Sequence, residues 1–337
     1  TLMQSVIIGW HMYSLTNSVF YLGLVGLIEV IPQVSVSLFA GHFVDKWNRK
    51  KIILYTSILL LVGALVLFVY SIPALHCFQR YGIFPLFITI FLTGFVRGIL
   101  MPAHVALLGQ LVPRENLARA ATWNSANWHI AAVLGPALGG MMYGYFGIVV
   151  AYALVFVMFF LSVLTIAQVS VEHTIIVDKN ADDIFKRIKE GISYVFKNEI
   201  LLGAFSLDMF AVLFGGAVAM LPAFASTVLK VGPQGLGILR SCPALGAILM
   251  SVVLMVKLPA RNTGKYLFVA IAGFGLCIIG FALSTNFYVS AVLLFLSGVF
   301  DNVSVVIRST ILQLYTPNEM RGRVAAVNSI FIGSSNE

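Results

Sequence analysis

Charge is what this chain has least of. Only 10% of its 337 residues are charged, against 60% hydrophobic residues and a mean hydropathy of +0.97. A soluble domain carries about a quarter charged residues, so a soluble fold is excluded. Cysteine is scarce too: Cys77, Cys242 and Cys277 stand far apart on different segments, which leaves neither a disulfide framework nor a thiolate metal centre and reads as apolar filler. No GxxxxGK(S/T) phosphate loop is present, which excludes an ATP-driven pump of that type. HExxH, a nucleophile elbow and clustered metal ligands are all missing, so no enzyme, cofactor or metal is expected. No Lys or Arg precedes the first apolar run, so no cleavable signal peptide is read.

What fills the chain is long apolar runs. Read against the roughly 20 residues needed to cross a bilayer, they are 2–18, 22–44, 52–72, 83–112, 120–143, 148–169, 200–228, 234–256, 266–284, 288–315 and 324 onward. The expectation is an all-α polytopic membrane protein with nine complete spans and a fragment at each end. The first span would be incomplete, the eleventh mostly missing and a twelfth absent.

A net charge of +8 invites a nucleic-acid reading, but its distribution gives a better account. Of 21 Lys and Arg, sixteen fall in loops after even-numbered spans, among them Lys46, Arg49, Lys50 and Lys51, whereas Arg80 and Lys230 lie in the opposite loops. That asymmetry is the positive-inside rule and places the even-numbered loops in the cytoplasm. The partner implied is the bilayer, with no nucleic acid.

The longest polar stretch, 172–199, divides the chain into an expected N-terminal bundle (1–170), a cytoplasmic linker (171–199) and a C-terminal bundle (200–337). Within the linker Ile184, Phe185, Ile188, Ile192, Val195 and Phe196 recur at helical spacing, with Asp182 or Asp183 as N-cap. A helix on the cytoplasmic leaflet and a solvated linker helix fit this pattern equally.

The two halves are related. Shifted forward by 204 residues, Thr93–Ser125 falls without a gap on Ser297–Ser329, with eight identities in 33 positions, including Gly94/Gly298, Leu108/Leu312 and Pro113/Pro317. Duplicated halves of parallel topology are one plan of secondary transporters.

A charge facing lipid costs at least roughly 2.5 kcal/mol at the bilayer centre, so ionisable residues inside spans should face the protein interior. Arg97 and His104 lie seven residues apart on one face of the fourth span, and the duplication maps them onto Asp301 and Arg308 of the tenth. These faces are expected to meet at the junction of the halves. Burial disfavours the ionised form of a carboxylate, which suits Asp208 and Glu29 to carry a proton. The bland alternatives are charges that only hold the bundle together, a hydrogen-bonded core histidine at 104, and an Arg240 that snorkels. In the run 131–140, Gly135 and Gly139 flank Pro136 and precede Gly140, a tight and bent helix contact.

The loop GHFVDKWNRKK resembles the GxxxD(R/K)xGR(R/K)(R/K) signature of the major facilitator superfamily. Gly41, Asp45, Lys46, Arg49, Lys50 and Lys51 match, while Asn48 replaces a Gly. The run AAVLGPALGG is similar to that family's fifth-helix signature, with Ala131 for its first Gly. The segments YSLTNSVFYLGLVGLIEVIPQ, SLDMFAVLFGGAVAMLPAFA and QLYTPNEMRGRVAAVNS resemble the branch that includes the enterobactin exporter and related proton-driven antiporters.

The resemblance implies two six-helix bundles and a latch made by Gly41, Asp45, Lys46, Arg49 and Lys50. It also implies a cavity lined by helices one, four, seven and ten, onto which Gln4, Trp10, His11, Tyr13, His104 and Arg308 would open. Proton coupling would fall to Asp208, Asp301, Glu29 and Arg97. The expected function is proton-coupled export of a small amphiphilic molecule from the bacterial inner membrane by a monomer. A facilitator or importer of the same fold and a non-transporting receptor or scaffold are the alternatives.

Overall fold

In hydrocarbon every backbone N–H and C=O must be satisfied within the chain, so apolar runs of this length have to be helices. A computed structural model of the protein describes residues 1–74, 81–170, 184–214, 217–256 and 263–317, together with Met320, Val324 and Val327. Among them all regular structure is helical. The α-helices are α1 (Leu2–Thr16), α2 (Val19–Lys46), α3 (Arg49–Ser71), α4 (Phe84–Leu111), α5 (Leu117–Gln168), α6 (Ile184–Lys197), α7 (Glu199–Phe214), α8 (Ala217–Thr227), α9 (Pro233–Val256), α10 (Thr263–Leu283) and α11 (Phe287–Tyr315). Seven of these are long and apolar enough to cross a membrane, which makes this a multi-pass membrane protein.

Local chemistry sets the helix ends. The Asn48 side chain accepts from the Lys51 N–H at the start of α3, and Asn286 accepts from the Tyr288 and Val289 N–H groups at the start of α11; both are N-caps that satisfy orphan donors. At the end of α1, Asn17 takes a left-handed conformation with φ 48°, one that Asn tolerates better than most residues.

The fifth and sixth runs, labelled together as α5, are two helices that meet at Gly147, whose backbone is non-helical with φ 81° and ψ 174°. At about 1.5 Å per residue their combined length is enough for two crossings, and the break falls where the two apolar runs part. Glycine alone adopts that φ and ψ without strain. The seventh run is helical on both sides of residues 215–216, as α7 and α8, and those two residues lie outside the described ones.

The chain divides into two compact units, residues 1–184 and 185–337. In the first, α2 packs along α4, α3 packs on α4 and α5, and α1 packs on α5. The α1–α5 contact is made at Gly135 and Gly139, where a methyl would strike Leu2 and Met3. In the second unit, α11 packs on α9, α10 and α7. Its core gathers Leu201, Phe205, Leu267, Ile307 and Ile311, together with Val195 of α6. The Tyr194 hydroxyl donates to the Tyr315 carbonyl at the end of α11, 2.8 Å away. Part of the apolar face of α6 is thus spent inside the protein, while Ile192 and Phe196 remain exposed. The proposed caps Asp182 and Asp183 lie outside the described residues.

Large apolar side chains remain on the outside, as a lipid-facing surface requires: Met255, Phe268, Leu283 and Tyr288 each keep more than half of their surface. Cys242 and Cys277 are buried free thiols; Cys77 lies outside the described residues.

Candidate functional site

Each unit holds an ion pair, Arg97–Glu29 in the first and Arg308–Asp208 in the second, and each has a close glycine-mediated helix crossing. In the first unit, a Cβ added at Gly94 would overlap the Glu29 carbonyl, and one at Gly98 would come within 2.7 Å of the Gln33 carbonyl. Two glycines four residues apart thus bring α4 onto the backbone of α2. Between them on the sequence lies Arg97, whose Nη1 donates to Glu29 Oε1 at 2.5 Å. Glu29 is 9% exposed and Arg97 27% exposed at the side chain.

The second unit repeats this crossing. A Cβ at Gly298 would overlap the Pro243 carbonyl, and Asn302 Nδ2 donates to the Ala247 carbonyl and to Ser251 Oγ, the latter at 2.6 Å. Gly94 and Gly98 become Gly298 and Asn302 under the 204-residue shift. Their contacts on the facing helix, Glu29 and Gln33, become Pro243 and Ala247, which is a shift of ten residues more. On that register the place of Glu29 is taken by Pro243, so Asp301, the counterpart of Arg97, has no charge at the equivalent position on α9.

Asp301 faces other company. It lines a small cavity with Asp208 and Ala211 of α7, Ala270, Ile271 and Phe274 of α10, and Phe300 and Ser304 of α11. Arg308 Nη1 donates to Asp208 Oδ2 at 2.8 Å, both side chains being 7% exposed. The Ser304 hydroxyl donates to Asp208 Oδ1 at 3.2 Å. Arg308 Nε is buried without a hydrogen-bond partner. A guanidinium offers five donors in a fixed fork, and here the Nε donor is unmatched. The cavity has room for about one water molecule.

The other predicted residues are placed as follows. His11 Nδ1 lies 3.0 Å from the Tyr152 hydroxyl and its ring 5.9 Å from that of Tyr70, so it is a hydrogen-bonded histidine inside the first unit. Gln4 is 2% exposed and both side-chain polar atoms lack partners. Tyr13 is buried and Trp10 half-buried, whereas His104 is exposed. Arg49 donates to the Ala106 carbonyl at 3.3 Å and Lys50 to the Ala167 carbonyl at 3.0 Å. Both are cations at the C-terminal ends of helices, where the dipole favours them. Gly41, Asp45 and Lys46 fall within α2, and the side chains of Asp45 and Lys46 lie outside what the structure describes. Pro136 sits inside α5, and Gly139 and Gly140 are buried beside it.

Sequence reasoning missed Ser304, Asn302, Ser251 and Tyr152. Ser304 and Asn302 carried a signal, being polar residues beside Asp301 in an apolar run. Tyr152 carried none, since its partner lies 141 positions away. Among the described residues no group of three His, Cys, Asp or Glu side chains is placed to hold a metal ion.

Comparison with known proteins agrees with this architecture. The Major Facilitator Superfamily profile matches residues 1–336. The MFS-type transporter YkuC of Bacillus subtilis is 30% identical over 217 residues, which span 60% of this chain and 48% of that protein. The staphyloferrin A transporter of Staphylococcus aureus is 21% identical over 95% of this chain and 79% of its own length. The enterobactin exporter EntS of Salmonella choleraesuis is 22% identical over 92% of this chain and 73% of its own. Among solved structures, an inward-facing bacterial homologue of the iron transporter ferroportin superposes with a TM-score of 0.65 at 17% identity, covering 99% of this chain and 86% of that one.

Proposed function

Since the chain belongs to the Major Facilitator Superfamily and is a multi-pass membrane transporter of small molecules, we propose that it exports a small amphiphilic substrate, siderophore- or drug-like, in exchange for protons. One observation carries the coupling: two carboxylates, Asp208 and Asp301, share a buried cavity beside a single Arg308. Intramembrane ionisable groups cost too much to keep without use, and a carboxylate that loads and empties is the simplest use. Two relatives named for siderophore transport, one of them an exporter, support the substrate class and the direction.

In this reading Gln4, with an amide that nothing in the protein satisfies, and the exposed His104 meet the substrate, with Trp10 and Tyr13 nearby on α1. His11 is held by Tyr152 and serves the frame. Gly135, Pro136, Gly139 and Gly140 form the bent contact on which α1 moves against α5. Gly41, Asp45, Lys46, Arg49 and Lys50 latch the cytoplasmic side, the last two already holding the carbonyl ends of α4 and α5. The protein is a monomer of the bacterial inner membrane with residues 171–199 as a cytoplasmic linker between bundles 1–170 and 200–337.

The test uses inside-out proteoliposomes with an acidic lumen and iron-free enterobactin, staphyloferrin A and an amphiphilic dye as probes. At least one probe accumulates while the gradient stands and leaks back when it is collapsed. Equal uptake with and without the gradient refutes antiport and leaves a facilitator. Uptake only when the outer face is acidic makes it an importer.

A further inference from the structure

The helix α6 is built into the second unit along one face and left bare along the next. Gly191 and Val195, one turn apart, are buried, and Val195 packs in the core with Leu201, Leu267 and Ile311. Ile192 and Phe196, also one turn apart and about 100° further round the helix, keep 38% and 59% of their surface. Lys189 and Lys197 are exposed as well. Along the whole helix four Lys or Arg stand against one Glu.

Two attachments fix where this bare face lies. Asn198 alone closes α6 and opens α7: its N–H donates to the Tyr194 carbonyl at 3.1 Å, its side chain accepts from the Ile200 and Leu201 N–H groups, and its carbonyl accepts from the Leu202 N–H at 2.9 Å. A junction of one residue leaves α6 no slack to swing away from α7. The second attachment is the Tyr194 hydroxyl on the carbonyl of Tyr315, the last residue of a helix long and apolar enough to cross the membrane. Ile200 opens the apolar run 200–228 and is exposed with Leu207 and Phe210, seven and ten residues on, along one face of α7. Helical hydrogen bonds on both sides of Asn198 keep the rise near about 1.5 Å per residue, so Phe196 stands about 6 Å from Ile200, and the headgroup layer is about 5–7 Å deep on each side of the hydrocarbon. At that depth the exposed Ile192 and Phe196 meet lipid and not bulk water.

We propose that the exposed face of α6 is a docking surface for an anionic lipid leaflet. Ile192 and Phe196 seat at the boundary of headgroups and acyl chains and continue the lipid-facing side of α7. Lys189 and Lys197 reach to the phosphates, their stems lying over apolar surface while the ammonium groups stay in the polar layer. A second copy of the chain is a poorer occupant, because it would bring the same lysines face to face. A helix on the leaflet, and not a solvated linker helix, is then what the sequence pattern encodes; transport direction and coupling do not enter.

The test places a nitroxide at position 192, 193 or 196, by cysteine substitution in the full chain with Cys77, Cys242 and Cys277 replaced by Ala, in nanodiscs of phosphatidylcholine with and without phosphatidylglycerol. Collisions with oxygen, which concentrates in lipid, set against collisions with a water-soluble nickel chelate give the depth of each label. Labels at 192 and 196 lie about 5–10 Å inside the headgroup boundary, while the label at 193, beyond Lys189 on the helix surface, is reached by the chelate. Phosphatidylglycerol deepens the labels at 192 and 196, and Lys189→Glu combined with Lys197→Glu removes that deepening. Chelate collisions at 192 and 196 equal to those at 193 overturn the proposal in favour of a solvated helix. Labels that neither oxygen nor chelate reaches overturn it in favour of a protein occupant. Depths that ignore phosphatidylglycerol, or a response to it that survives the double charge reversal, overturn the assignment to anionic headgroups. None of the three labelled positions is buried, so the labelled proteins should elute as the wild type does; where one apolar position fails to, the other decides.

Discussion

Neutralising Asp208 and neutralising Arg308 should cost the fold unequal amounts, although the two side chains belong to one ion pair. Both are 7% exposed and 2.8 Å apart. Removing one partner of a pair so buried leaves an uncompensated charge and costs about 3–5 kcal/mol. That figure applies to Arg308→Gln, which strands Asp208 and Asp301 together around a cavity with no cation. Asp208→Asn is different, because Asp301 lines the same cavity and can take over the guanidinium; its loss reduces to one rearranged hydrogen-bonded contact, about 1–2 kcal/mol. Combining the two leaves one carboxylate that neutralises itself with a proton, so the double variant should be no less stable than Arg308→Gln alone. The Glu29–Arg97 pair is the comparison. With Arg97 27% exposed, part of its charge is compensated from outside the pair, and the coupling in its own cycle should be about 1 kcal/mol. The assay is thermal unfolding in detergent of the six single and double variants beside the wild type. Equal losses for Asp208→Asn and Arg308→Gln, or strictly additive losses in the double variant, refute the idea that Asp301 shares the arginine.

Three further outcomes follow from the packing. Gly298→Ala presses a methyl onto the Pro243 carbonyl and should destabilise by about 1–3 kcal/mol, while Gly275→Ala on α10, with nothing within 4 Å of the added carbon, should be neutral or stabilise by up to about 1 kcal/mol; their thermal midpoints should move in opposite directions. Asn302→Leu deletes the donor to Ala247 and Ser251, costs about 1–2 kcal/mol and should lower the thermal midpoint, whereas Gly98→Ala at the matching position of the first unit acts by collision with the Gln33 carbonyl and is not rescued by a smaller neighbour at Val36. Tyr194→Phe frees the Tyr315 carbonyl, costs about 1 kcal/mol, and should speed amide hydrogen exchange in the last turn of α11 while leaving α9 unchanged.

The membrane spans were legible because the bilayer is a severe solvent: a run of apolar residues of the right length has one conformation open to it. The ionisable positions were legible for the same reason, since Glu29, Arg97, Asp208, Asp301 and Arg308 stand out against apolar neighbours. Their partners were not. The gapless match at a 204-residue shift covers the later part of α4 and of α11 with the segments that follow them and invites the view that Arg97 and Asp301 are complementary halves of one pair. It is silent about α2 and α9, whose contacts follow a register ten residues longer, and it is this second register that sets what each charge finds beside it. In the first unit the facing helix supplies Glu29, and Arg97 is satisfied locally. In the second it supplies Pro243, and the carboxylate at the repeat position is left to Asp208 and Arg308, the latter two helical turns along α11. Gly94 and Gly298 bring α4 onto α2 and α11 onto α9 in backbone contact, so the residue directly across, Glu29 in one unit and Pro243 in the other, decides whether the facing helix supplies a counter-charge at that position.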